Sequence, residues 1–133
     1  MKTITQEELN VVLEQHKLWL NLGKKGGSRA NLTDTDLRRV LLLGENLSLA
    51  SLSGANLKNV DLSNADLRCA NLSWANLRNA NLSGANLSWA CLGGADLRRA
   101  NLIGADLKMT YLLGADLRGS GIIRARTYEI LDE

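Results

Sequence analysis

The chain has no phenylalanine and no proline, and among 133 residues only three tryptophans and two tyrosines. A core assembled from large aromatic side chains is therefore excluded. Histidine occurs once, at His16, and cysteine twice, at Cys69 and Cys91. No Cys/His set at metal-ligand spacing can be drawn from these, and the two cysteines are expected to be free thiols in a reducing compartment. Charge of one sign is also missing: 16 Lys and Arg against 14 Asp and Glu leave a formal +2, with both signs interspersed. No stretch approaches the roughly 18 apolar residues of a membrane helix. The opening Met1-Lys2-Thr3-Ile4-Thr5 lacks the apolar run of a signal peptide, so the expectation is one soluble, cytoplasmic domain with no cofactor.

What is abundant is Leu, Ala and Asn, and they recur with a period of five. Leu stands at every fifth position from Leu32 to Leu117, and Ile122 extends the series to 19 positions. Two residues before, Ala occupies 13 of the 19; one residue before, Asn or Asp occupies 14. On an α-helix a five-residue step would spread the leucines around every side, and on a straight strand it would alternate their faces. Both fail. The pattern is rescued if the chain turns a corner after every Leu, where Gly, Asn and Ser cluster. Each repeat is then one short side of a stacked coil, with Leu inside.

The repeats Ala55-Asn56-Leu57-Lys58-Asn59, Ala85-Asn86-Leu87 and Ala95-Asp96-Leu97-Arg98-Arg99 resemble the A(D/N)LXX signature of the pentapeptide-repeat family, over about residues 30–124. The resemblance implies an all-β solenoid, a right-handed quadrilateral parallel β-helix with four repeats per coil. Nineteen repeats would then make about 4.75 coils, a rod of about 23 Å at roughly 4.8 Å per coil. The expected layout is a capping helix and loop over 1–29, the repeats over 30–124 and a tail over 125–133.

Residues 5–20 predict the capping helix. Thr5 and Glu8 form a capping-box pattern, Leu9, Val12, Leu13, His16, Trp19 and Leu20 share a face, and Gly23 follows as a stop. Lys24 to Ser28 form the connecting loop. At the other end, residues 122–131 either fold over the last coil or leave it to pair with a second copy, so the expected state is a monomer or a dimer through the C-terminal coil.

Residues 20 apart stack in columns. Arg38, Lys58, Arg78, Arg98 and Arg118 make a basic ladder. It is either a groove for an acidic partner or a solvated face offset by Asp36, Asn56, Asn76, Asp96 and Asp116, two residues earlier. Leu49, Cys69, Trp89 and Met109 make an apolar column at outward corners, a contact patch or a self-packed stripe. Trp74 stands alone among Asp34, Gly54, Gly94 and Gly114. Leu41, Leu43, Ile103 and Ile123 also face outward, where the helix or the tail would lie. Glu45 falls at an Ala position, where a buried carboxylate would be costly, so it must escape near the lid or the coil must bulge. Thr35, Val40, Val60, Thr110 and Ser120 replace Ala too and are small enough to need no special account.

No Ser-His-Asp set, HExxH, P-loop or CxxC is present, and a rod with flat sides offers no concave pocket, so no enzyme is expected. The first functional reading is a non-enzymatic protein-binding or scaffold module. Resemblance adds a second, because some family members bind DNA gyrase as mimics of duplex DNA. Residues 30–120 carry nine basic and eight acidic groups, a poor imitation of a polyanion. A third is binding of nucleic acid or another polyanion through the basic ladder.

Overall fold

The computed structural model describes residues 1–23, 25–122 and 125. Its repeats coil with a period of 20. Asn31 bridges Ser51 in parallel, Ser51 bridges Asn71, Asn71 bridges Cys91 and Cys91 bridges Tyr111, and the other sides repeat the scheme as far as Asp96 with Asp116. Four five-residue sides therefore close each turn. The sides are so short between corners that nearly all of this ladder consists of single bridges rather than extended strands.

The repeat from Ala75 shows why five residues suffice. The Ala75 N–H closes the corner on the Leu72 carbonyl at 3.1 Å, Asn76 N–H reaches back to Ala55 at 2.9 Å, and Leu77 and Asn79 N–H reach forward to Asp96 and Arg98 at 2.8 and 3.0 Å. Arg78 N–H, which faces no neighbouring coil, donates to Asn76 Oδ1 at 3.1 Å. All five backbone donors are thus satisfied. The same bond is made by the Asn or Asp of every repeat that has one, from Asn31 to Asp116. A short side-chain oxygen two residues before the donor does this and an apolar side chain does not, which accounts for Asn and Asp at that position.

Inside, Leu32 to Leu107 are sealed at every fifth place, with the alanines between them. Each buried Leu contributes about 1.5–3 kcal/mol. The filling loosens at the C-terminal end, where Ala115, Leu117 and Ile122 are only partly buried.

The N-terminal segment lies on the first coil. Strand β1 (Lys2–Thr3) pairs in parallel with β2 (Thr35–Asp36). Helix α1 (Gln6–Asn21) starts at a capping box in which Thr5 Oγ1 accepts from Glu8 N–H at 3.1 Å and Glu8 Oε2 accepts from Thr5 N–H at 3.2 Å. Leu9 and His16 are its buried residues, with Ile4, Val12 and Leu13 packed alongside. Leu41, Leu43 and Ile103 stay exposed, so α1, one of the two segments expected near them, leaves them uncovered and sits on the end of the first coil. The proposed tail, with Ile123, Arg124 and residues 126–133, and Lys24 of the loop lie outside the described residues.

Candidate interaction surfaces

Every surface feature is set by the corners. From Leu32 to Leu117 the second residue after each Leu holds a positive φ, except Arg39, and glycine takes that conformation freely where other residues take it at a cost of about 1–2 kcal/mol. Gly and Asn fill many of these places, but Leu49, Cys69, Trp89 and Met109 hold φ of 65°, 58°, 62° and 57°. The four consecutive corners of the apolar column are therefore all strained, with Leu49 and Trp89 at 37% and 58% exposure and Cys69 exposed as well. Cys69 and Cys91 are free thiols.

Residues i and i+2 share a face of a short side, which lets Asp36, Asp96 and Asp116 grip Arg38, Arg98 and Arg118. In each pair the arginine Nη2 donates to the carboxylate Oδ2 at 2.6–2.7 Å while Nε donates to Oδ1 at 2.9 Å. The pairing holds Asp36 and Asp116 down at about 2 and lowers Asp96, the arginine hydrogen bond being the main cause in each. Arg68 and Asp66 repeat the arrangement on another side. Lys58 and Arg78 are different. Their earlier neighbours are Asn56 and Asn76, whose Oδ1 atoms accept only a backbone N–H, so among the described residues no carboxylate meets either cation. The ladder is continuous in sequence but neutralised at three of its five rungs.

The sides are not uniformly flat. Arg78, Arg98, Arg99 and Arg118 border a hollow of about 300 Å³ beside Gly119. Another, of about 370 Å³, is lined by Trp74, Cys91, Tyr111 and Leu113 over Gly93 and Gly94. Trp74 is thus not isolated: its indole lies on Gly94 and the Tyr111 ring lies on Gly93. The column Asp34, Gly54, Trp74, Gly94 carried that signal, since in it each side chain that folds onto the corner of the next coil meets a glycine there. Asp34 rests on Gly54 and Asn64 on Gly84 in the same way. A third hollow, about 430 Å³, lies between α1 and the first coil, and Glu45 opens into it beside Glu14 and Lys17 rather than being sealed in the core.

His16 is more than a packing residue. It is fully buried, Ala30 N–H donates to its Nδ1 at 3.0 Å, and Nε2 lies 2.8 Å from the Ser48 carbonyl. Because Nδ1 accepts, the proton sits on Nε2, and the ring is neutral. Trp19 stacks on it at 5.7 Å between centroids. Among the described residues no group of His, Cys, Asp and Glu is placed to hold a metal, and no helix is long and apolar enough to cross a membrane.

A family model for pentapeptide repeats, in eight copies, matches residues 46–84 and 80–119. Among solved structures, a pentapeptide repeat protein from the cyanobacterium Cyanothece 51142 is similar at 39% identity and a TM-score of 0.67, over 71% of this chain and 64% of its own. A pentapeptide repeat protein from Nostoc PCC 7120 shares 26% identity at a TM-score of 0.60, over 83% and 82% of the two chains. The plasmid-mediated fluoroquinolone resistance protein QnrB1 has a similar fold, with a TM-score of 0.63 at 20% identity, and this chain spans only 47% of its length. Among curated proteins none matches.

Proposed function

The chain belongs to the pentapeptide-repeat family, whose fold is a right-handed quadrilateral β-helix, and from that membership we propose that it is a non-enzymatic binding module, a helix-capped rod of somewhat under five coils that engages a protein partner through one face. The observation that carries this reading is the column Leu49, Cys69, Trp89 and Met109. Four successive corners hold apolar side chains in a backbone conformation that Gly or Asn would occupy at less cost; Cys69 and Trp89 stand in water, while beside them Leu49 is 37% exposed and Met109 is half-buried. Strained corners that keep Trp89 and Cys69 in water suit a contact surface better than they suit folding alone.

The test is capture from a native lysate with the purified chain and with a Trp89→Asn, Met109→Asn variant. Asn already stands at the equivalent corners 59, 64 and 79, so the variant keeps the fold. Wild type retains a protein that the variant loses. Identical recoveries from both would remove the column as the contact.

Duplex mimicry fits poorly here, because residues 30–120 are nearly neutral and the likeness to QnrB1 at 20% identity concerns fold alone. Unchanged gyrase supercoiling on addition of the protein is the expected result.

A further inference from the structure

We propose that the hollow bordered by Arg78, Arg98, Arg99 and Arg118 is a binding site for a single phosphate-class oxyanion, with Arg78 as its principal ligand. The inference goes beyond the contact column, which lies on a different set of corners. Three of the four arginines come from three successive coils and the fourth from a corner, so they approach one space from several directions. Two carboxylates, Asp96 and Asp116, are already committed to Arg98 and Arg118, with Arg98 Nε also 3.7 Å from Asp116. Four positive charges against two negative leave +2 around the hollow, a match for one dianion.

Arg78 is the anomaly that points to a ligand. Arg38, Arg98 and Arg118 each have an aspartate two residues earlier, but at Arg78 that residue is Asn76, a neutral amide that takes only the backbone N–H. Its Nε is buried with no acceptor among the described residues. Arg78 as a whole is half-buried, so the cost is that of one N–H sealed without an acceptor, which a bound anion would supply. Arg99, held at φ 59°, likewise has no side-chain partner among the described residues, so two free guanidinium groups face the same space.

The geometry also selects among anions. One carboxylate is satisfied by one arginine, as Asp36 with Arg38 shows. A tetrahedral group offers oxygens in several directions, which suits donors arriving from three coils. A nucleic acid laid along the ladder would ride over the carboxylates of Asp96 and Asp116, so the site fits one group and not a continuous backbone.

Inorganic phosphate titrated into the purified chain at fixed ionic strength, followed calorimetrically, tests this. Saturable binding in the millimolar range or tighter is expected. Asn76→Asp gives Arg78 the carboxylate its neighbours already have, preserves the repeat pattern, and is expected to weaken binding at least about tenfold; Arg78→Gln does the same. Arg38→Gln, on the same ladder but outside the hollow, leaves it unchanged. A phosphoserine peptide that binds more than about tenfold tighter than phosphate identifies a modified protein segment as the source, and equal affinities identify the free anion. Wild-type affinity in Asn76→Asp, an equal loss in Arg38→Gln, or a duplex oligonucleotide binding with a salt slope of many charges would each overturn the proposal. Because the purified chain alone is used, failure here is separable from failure of the lysate capture.

Discussion

The indole of Trp74 lies so close over Gly94 that a methyl group on that glycine would meet Cε3 at 2.6 Å. Gly94 also holds φ 69°, so two separate penalties act on any substitution. Gly104 separates them: its φ is 71°, but the nearest atom to an added methyl is 3.8 Å away. Gly104→Ala is expected to cost about 1 kcal/mol from backbone strain alone, and Gly94→Ala a further 1–3 kcal/mol, roughly, from the collision. Adding Trp74→Asn should return the second variant to the cost of the first. Equal losses in the two alanine variants by chemical denaturation would mean that the indole swings aside freely.

The strained corners of the apolar column give the opposite sign. Cys69 sits at φ 58° with its side chain exposed, and Asn tolerates that conformation better than Cys. Cys69→Asn is expected to raise stability by up to about 1 kcal/mol, seen as a higher midpoint in urea with an unchanged slope. A lowered midpoint would show that Cys69 has a packing role on its own coil.

The solenoid was legible because one signal, Leu at every fifth place, repeats too often to be mistaken, and each Leu from 32 to 107 is sealed where that period puts it. The Asn and Asp before each Leu were visible as a pattern, but their purpose, accepting the N–H two residues on, depends on a donor that only the corner geometry leaves free. The charge ladder was correctly aligned, yet its split into paired and unpaired rungs turns on Asp against Asn two residues earlier, a difference that matters only once both residues share a face. Strand β1 had no periodic cue, since two residues pairing with Thr35 and Asp36 leave nothing for a pattern to act on. Glu45 was recognised as a misfit, and the hollow under α1 explains its escape.

Ser120 replaces the usual Ala and turns out to need an account, because its Oγ is buried with no hydrogen-bond partner among the described residues. Thr110 at the same repeat position avoids this by donating to the Leu87 carbonyl at 2.8 Å. Ser120→Ala is therefore expected to stabilise the chain by about 1 kcal/mol, and Thr110→Ala to destabilise it by a similar amount. Thermal melts of the two single variants check the pair; a loss in Ser120→Ala would reveal an acceptor for that hydroxyl.

His16 ties α1 to the first coil through a neutral ring, and acidification attacks that tie. Burial is the main reason its pKa is lowered from 6.5; the nearby Arg29 charge lowers it further, and the bond to Ser48 opposes both. Protonation would put a hydrogen on Nδ1, where Ala30 N–H already points, and lose that bond. With the folded value below the unfolded one, the stabilisation is complete above about pH 6.5 and drains away as pH falls from there toward the folded value. The melting temperature should accordingly drop between pH 7.5 and 5.5. The paired aspartates do not contribute in that window, because their lowered values place their loss below about pH 4. His16→Gln, which can still donate and accept but does not titrate, should flatten the dependence while costing some stability at pH 7.5. A wild-type slope that survives in His16→Gln would place the titrating group elsewhere.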